Sequence, residues 1–244
     1  MPAILAINPN TTAAVTALLE RHLKRASPEV DWRMATGGFG ARYIVSEAAF
    51  AIAGHAALQA WAEQGEACDA VLLACFGDPG LFALREQCPV PVVGLAEASM
   101  QAAAEQAARF SIVTGGPRWA PMLERLALCL GFRARLVSVR TAEVTGGQAA
   151  AEPDRALAAL AQACRDAKDQ DGAEAVILGG AGFAGLAARM EPVVGVAVID
   201  SVLAGAKAAK RLALGAPCPY ARRAGAKHTD STGLAVTLAD RLLE

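Results

Sequence analysis

Cys75 closes the continuous apolar run Val71-Leu72-Leu73-Ala74 and opens the turn sequence Phe76-Gly77-Asp78-Pro79-Gly80. A thiol at the carboxyl end of a buried strand, just ahead of a predicted helix N-terminus, stands where its pKa can fall. The thiolate is then available as a base or a nucleophile. Cys68, Cys88, Cys129, Cys164 and Cys218 lack that context and read as core or surface residues. No C-x-x-C or Cys/His cluster is present, and His22, His55 and His228 are far apart, so no metal site is expected.

Four loops follow apolar runs in the same way: Asn8-Pro9-Asn10-Thr11, Cys75-Phe76-Gly77-Asp78, Thr114-Gly115-Gly116 and Gly179-Gly180-Ala181-Gly182. Each is rich in Gly, Asn or Thr, so backbone N–H groups can be aimed at an anion or a developing enolate. None has the G-x-G-x-x-G spacing or a phosphate-loop lysine, and no nucleotide cofactor is expected. The chemistry indicated is that of a small acidic or carbonyl-bearing substrate.

The elements that must carry these loops alternate. Apolar runs at Ala3 to Ile7, Asp31 to Thr36, Val71 to Ala74 and Val90 to Gly94 predict strands, as do Phe110 to Thr114, Arg135 to Arg140, Ala175 to Leu178 and Val194 to Ile199. Between them lie alanine-rich helical stretches at Ala13 to Arg25, Ser46 to Gly65, Glu97 to Ala108, a segment ending at Leu130, Glu152 to Lys168, and Val202 to Leu214. Continuous apolar strands alternating with helices predict an α/β protein with parallel sheets covered on both faces. Thr11 or Thr12 is the expected N-cap of the first helix.

An internal repeat sharpens this. Asp69-Ala70-Val71-Leu72-Leu73-Ala74-Cys75-Phe76-Gly77 aligns with Glu174-Ala175-Val176-Ile177-Leu178-Gly179-Gly180-Ala181-Gly182 at an offset of 105 residues. The same offset carries Val93 onto Val198 without a gap. Two similar lobes are expected, with a glycine, Gly180, as the counterpart of Cys75.

Composition narrows the partner. The 244 residues carry 23 Lys+Arg against 24 Asp+Glu, which leaves no basic surplus for nucleic acid or an anionic membrane. Mean hydropathy is +0.32, which excludes a disordered chain. The longest uncharged window of the second half, Ala175 to Ala188, is glycine-laden and shorter than the ~20 residues a membrane span needs. The start, MPAILAINPN, lacks the basic and long apolar regions of a secretory signal, so a cytoplasmic protein is expected.

Ile7-Asn8-Pro9-Asn10-Thr11-Thr12, Ala74-Cys75-Phe76-Gly77-Asp78-Pro79-Gly80-Leu81, Pro91-Val92-Val93-Gly94 with Glu97-Ala98, and Val176-Ile177-Leu178-Gly179 together resemble the hydantoin and allantoin racemases of the aspartate/glutamate racemase superfamily. The resemblance implies two pseudo-symmetric flavodoxin-like lobes, residues 1–96 with about 208–244 and residues 97–207, with the active site in the cleft between them. It also implies a small-molecule substrate, no cofactor and a homo-oligomer. In such enzymes two cysteines face each other across the substrate Cα; one removes the proton and the other returns it on the opposite face. By position Cys75 matches the first cysteine, and Asn10, Phe76, Gly77, Thr114, Ala181 and Gly182 match loops that line the pocket. Backbone N–H groups near Gly77, Gly180, Ala181 and Gly182 are the expected enolate holders.

Gly180 is the departure, standing where the family carries its second cysteine. Three accounts follow. The chain is a racemase whose second cysteine has been lost, naturally or by engineering. It is a one-cysteine decarboxylase, or a cis–trans isomerase of small dicarboxylates using Cys75 covalently. Or it binds a small molecule without turning it over. Of the other candidates, Asp78 reads as part of a turn, Asp200 and Glu97 as helix caps, Ile44 and Ser46 as peripheral ligand contacts, Arg118 as a surface residue and His55 as a packed or surface histidine.

Overall fold

In the computed structural model, residues 1–65, 67–144, 152–218 and 231–243 are described. The chain forms two compact units, Met1–Gly94 with Ala206–Glu244, and Leu95–Gly205.

The first unit is built on β1 (Ala3–Asn8), β2 (Asp31–Thr36), β3 (Ala70–Leu73) and β4 (Val92–Gly94), in the spatial order β2-β1-β3-β4. All three pairings are parallel. The central strands β1 and β3 are buried at every position, which is why their sequences are unbroken apolar runs. The edge strand β2 alternates instead, burying Trp32 and Ala35 and exposing Asp31 and Arg33. Helices α1 (Ala13–Ala26), α2 (Glu47–Gln64) and α3 (Leu81–Gln87) follow the first three strands.

The second unit repeats the plan. Strands β5 (Phe110–Gly115), β6 (Leu136–Ala142), β7 (Ala175–Gly179) and β8 (Ala197–Asp200) are parallel in the order β6-β5-β7-β8. Its helices are α4 (Leu95–Gln106), α5 (Trp119–Cys129), α6 (Pro153–Asp169), α7 (Ala187–Val194) and the start of α8 (Ser201–Ala213). A last helix, α9 (Val236–Leu243), packs on α2. The fold class expected from the alternating pattern, two α/β lobes of parallel strands, is the one observed.

Three local readings change. Helix α7 was not anticipated, because Pro192 lies inside it and Gly195 ends it; helix α3, expected just past Cys75, starts only at Leu81 after the left-handed Gly80. Strand β8 starts at Ala197 rather than Val194, since α7 runs through Val194 and Gly195, at φ 75°, stops it. Thr12 is the N-cap of α1 by position, but its hydroxyl donates to the Arg42 carbonyl instead of capping the helix. The repeat also slips by one residue between the lobes. Leu72 pairs with Val93, whereas Val198, the counterpart of Val93, pairs with Val176 and not with Ile177.

Candidate functional site

Parallel strands place all their carboxyl-end loops on one edge of a sheet, which is where ligands collect in such folds. In the first unit, β1 and β3 are neighbours, with Ile7 opposite Leu73 and the Ala74 N–H donating to the Ile7 carbonyl. The Asn10 and Cys75 loops therefore leave the sheet side by side.

The Cys75 loop is a tight turn. Asp78 N–H donates to the Cys75 carbonyl at 3.0 Å, with Gly77 at φ 136° and Asp78 itself in the left-handed region at φ 56°. Gly77 is required there, since a side chain at that angle is strained. The turn leaves the N–H groups of Phe76 and Gly77 without a protein partner among the described residues. Phe76 is buried, as is Asp78, whose carboxylate lies against Gly94 at the end of β4.

Cys75 is partly exposed. Burial first, and the Asp78 carboxylate second, push the thiol above its ordinary range. This reverses the expectation of a lowered pKa at a helix N-terminus. The helix that follows begins only at Leu81, six residues past Cys75, and is short, with seven residues.

Asn10 sits in a closed polar knot. Its Oδ1 accepts from Asn8 Nδ2 at 3.0 Å and from the Thr12 N–H at 2.9 Å, and both asparagines are buried. Ile44 is buried beyond the glycine-rich loop, and Ser46 caps α2 by accepting from the Ala49 N–H at 3.2 Å. His55 lies in α2 with its ring edge-on to Phe39 at 4.9 Å.

In the second unit, Thr114 lies opposite Gly179 and donates its hydroxyl to the Gly179 carbonyl at 2.8 Å. By register it is the counterpart of Asn8. Gly180 has φ 131° and leads into a single 3-10 turn, Ala181–Phe183. Its N–H donates to Ser201 Oγ at 3.2 Å, so the expected role of the Gly180 N–H as an enolate holder is overturned. Those of Ala181 and Gly182 remain without a partner among the described residues. Asp200 caps α8 through the Val202 and Leu203 N–H groups and also accepts from Gly185 N–H, the capping role expected of it. Glu97 is buried in the first turn of α4. Ser201, absent from the sequence reading, had no signal beyond being the first residue of a helix.

Arg42 and Arg118 are the only cations in the described loops that leave the carboxyl ends of the strands, and both are exposed. Among the described residues no three His, Cys, Asp or Glu side chains converge as metal ligands, and no helix is long and apolar enough to cross a membrane.

Comparison with known proteins gives a consistent answer. The family model described as Asp/Glu/Hydantoin racemase matches residues 4–209. A hydantoin racemase of Pseudomonas sp. (strain NS671) is 38% identical over 215 residues, covering 86% of this chain and 85% of that protein. One of Rhizobium meliloti is 38% identical over 211 residues, covering 84% and 86%. The allantoin racemase structure from Klebsiella pneumoniae superposes with a TM-score of 0.88 at 30% identity, over 98% of this chain and 99% of the other. With the strand order, the Cys75 turn and these similarities agreeing, the chain belongs to the Asp/Glu/hydantoin racemase family.

Proposed function

We propose that the protein moves the proton on the carbon next to a carbonyl of a hydantoin or a related small cyclic amide, using Cys75 as its proton carrier and no cofactor. A Cα–H beside a carbonyl becomes acidic when hydrogen-bond donors stabilise the enolate oxygen. The N–H groups of Phe76 and Gly77, in the same turn as Cys75, are donors of that kind. Cys75 in its thiolate form takes the proton and the enolate forms; the thiol trades that proton with water and delivers one from solvent to the same face of the carbon. Where the resemblance implies a second cysteine this chain has Gly180, which supplies no second proton carrier. The reading therefore gives Cα exchange with retention, and racemisation only as fast as water or another group delivers the opposite proton.

The observation that carries the choice of substrate is the charge of the loops. Beside Cys75 lies a buried carboxylate, Asp78, and the two arginines of the strand-end loops are exposed. A neutral ring amide suits those surroundings. A malonate or maleate, with two carboxylates to hold, would call for buried cations. This favours the hydantoin reading over a one-cysteine decarboxylase or a dicarboxylate isomerase. A binding protein without turnover is the remaining rival.

The test is deuterium incorporation at Cα, followed by NMR in D₂O, on 5-substituted hydantoins, allantoin, amino acids, malonates and maleate. Wild type, Cys75→Ala and an enzyme-free blank are run together, because hydantoins exchange spontaneously. The expected result is exchange above the blank on a neutral ring amide, lost in Cys75→Ala. Exchange equal to the blank on every substrate, or exchange unaffected by Cys75→Ala, would overturn the reading. Chiral analysis of the same samples reports whether one face or both are served.

A further inference from the structure

We infer that Asn8 is a positioning residue that fixes the side-chain amide of Asn10 with its NH₂ end, rather than its carbonyl, facing outward as a donor for a substrate carbonyl oxygen. The inference deepens the proposed function and rests on it for the identity of the ligand, but the orientation itself stands on hydrogen bonds alone.

An asparagine amide has a donor end and an acceptor end of nearly equal shape, so only its partners decide which way it points. Here they decide without ambiguity. The Thr12 backbone N–H can only donate, so the Asn10 atom 2.9 Å from it is the oxygen. Asn8 presents its own NH₂ to the same oxygen at 3.0 Å and accepts the Asn10 backbone N–H on its Oδ1 at 3.4 Å. The Asn8 NH₂ also donates to Thr16 Oγ1 at 3.0 Å, and the Thr16 and Thr36 hydroxyls pair at 2.7 Å. The two bonds of the Asn8 NH₂ run outward, into acceptors on the β1 loop and α1, and its Oδ1 takes the Asn10 N–H in return.

The consequence falls on Asn10. Its Oδ1 is taken twice, and its Nδ2, turned the other way, has no protein partner among the described residues. Asn8 is 1% exposed and Asn10 8%, so the inner residue holds and the outer one is presented. The Asn10 loop leaves the sheet beside the Cys75 turn, so the donor lies on the edge where the thiol stands. A ring carbonyl, and still more its enolate oxygen, only accepts hydrogen bonds, so an NH₂ facing it attracts where a carbonyl would repel.

The test is Asn8→Asp, which keeps the shape and removes the donor. Asn10 then has reason to turn its NH₂ inward toward the new carboxylate. Exchange of a 5-substituted hydantoin should fall at least tenfold in kcat/KM. In an Asn10→Ala background the same change should cost less than a further twofold, since a residue acting through another adds nothing once that other is gone. If the buried carboxylate prevents folding, Asn8→Ala is put through the same pair of backgrounds. Activity within twofold of wild type, or losses that add, would overturn the inference.

A substrate-free measurement separates this from the proposed function. In protein labelled with ¹⁵N-asparagine, assigned through Asn10→Ala, the Asn8 amide protons should exchange with water at least a hundredfold more slowly than those of Asn10. Comparable rates would overturn the inference whatever the substrate. If wild type exchanges no hydantoin, the proposed function falls and this arm decides the orientation by itself.

Discussion

The carboxylate of Asp78 fills the space in which a side chain on Gly94 would stand. One residue of the Cys75 turn is thereby seated on the last residue of the neighbouring strand, and the turn is fixed at both its backbone and its side chain. The same carboxylate is the charge that acts on the thiol. The conformation of the loop and the protonation of its sulfur are thus linked through one group.

Gly94→Ala should expel that carboxylate from its seat. Moving a buried charge and repacking the strand end costs about 1–3 kcal/mol, as overpacking in a close-packed interior does. Urea unfolding should show the loss as a lowered midpoint with an unchanged slope. A midpoint equal to wild type would mean that the turn moves freely.

Activity should rise with pH. The thiolate is the active base, and burial with the Asp78 charge holds the folded thiol above its ordinary pKa, so the reactive fraction grows across the alkaline range. Asp78→Asn removes the repulsion and should shift the rising limb of kcat/KM toward lower pH. Iodoacetamide should then alkylate Cys75 at least threefold faster at pH 8 than in wild type. An unmoved limb and an unchanged alkylation rate would remove Asp78 from the account.

Gly180→Cys should be felt first as strain. The backbone at φ 131° is one that residues with a side chain rarely adopt, and a Cβ there would come within 3.2 Å of the Phe183 ring. The expected cost is about 1–3 kcal/mol, read as a lower thermal midpoint. If the proposed function holds, racemisation per exchange event should nevertheless increase, measured by chiral chromatography against deuterium uptake. A folded variant with no such gain would count against a racemase scaffold.

Asp171 should stabilise the second unit at neutral pH and lose that role in acid. Arg140 approaches its carboxylate at 2.6 and 2.8 Å and Ser138 donates at 2.6 Å, so its pKa is held below the ordinary carboxylate range, chiefly by the Arg140 hydrogen bond. A depressed folded pKa contributes stability that is present above the unfolded value near 4 and is lost as pH falls through the folded one. Because the pair is partly open to solvent, Asp171→Asn should cost only about 1 kcal/mol at pH 7. The difference from wild type should vanish near pH 2, checked by thermal unfolding across that range.

Much of the fold was legible because its signals are local. Buried parallel strands must be apolar on both faces, so β1, β3 and β7 announce themselves as apolar runs, and the offset of 105 residues linking Cys75 to Gly180 is visible without coordinates. Helix α7 was not legible, since a short segment holding Pro192 and ended by Gly195 carries turn signals stronger than its helical ones. The register slip between the lobes leaves no trace in a gapless alignment, because Val93 and Val198 are equally apolar in either pairing.

The amino-acid sequence by itself determined the α/β class, the repeat, the family resemblance and the choice of Cys75. These depend on residue type and order, which a chain carries before it folds. Tertiary structure alone decided how each group is spent. It gave the Gly180 N–H to Ser201, the Gly185 N–H to Asp200, the Thr12 hydroxyl to Arg42 and the Asn10 carbonyl to Asn8. It also set the Cys75 thiol beside Asp78, where burial and that charge push its pKa up rather than down. The physical reason is common to all five: hydrogen bonds and charge act over a few ångströms, between residues whose separation in space the order of the chain does not state.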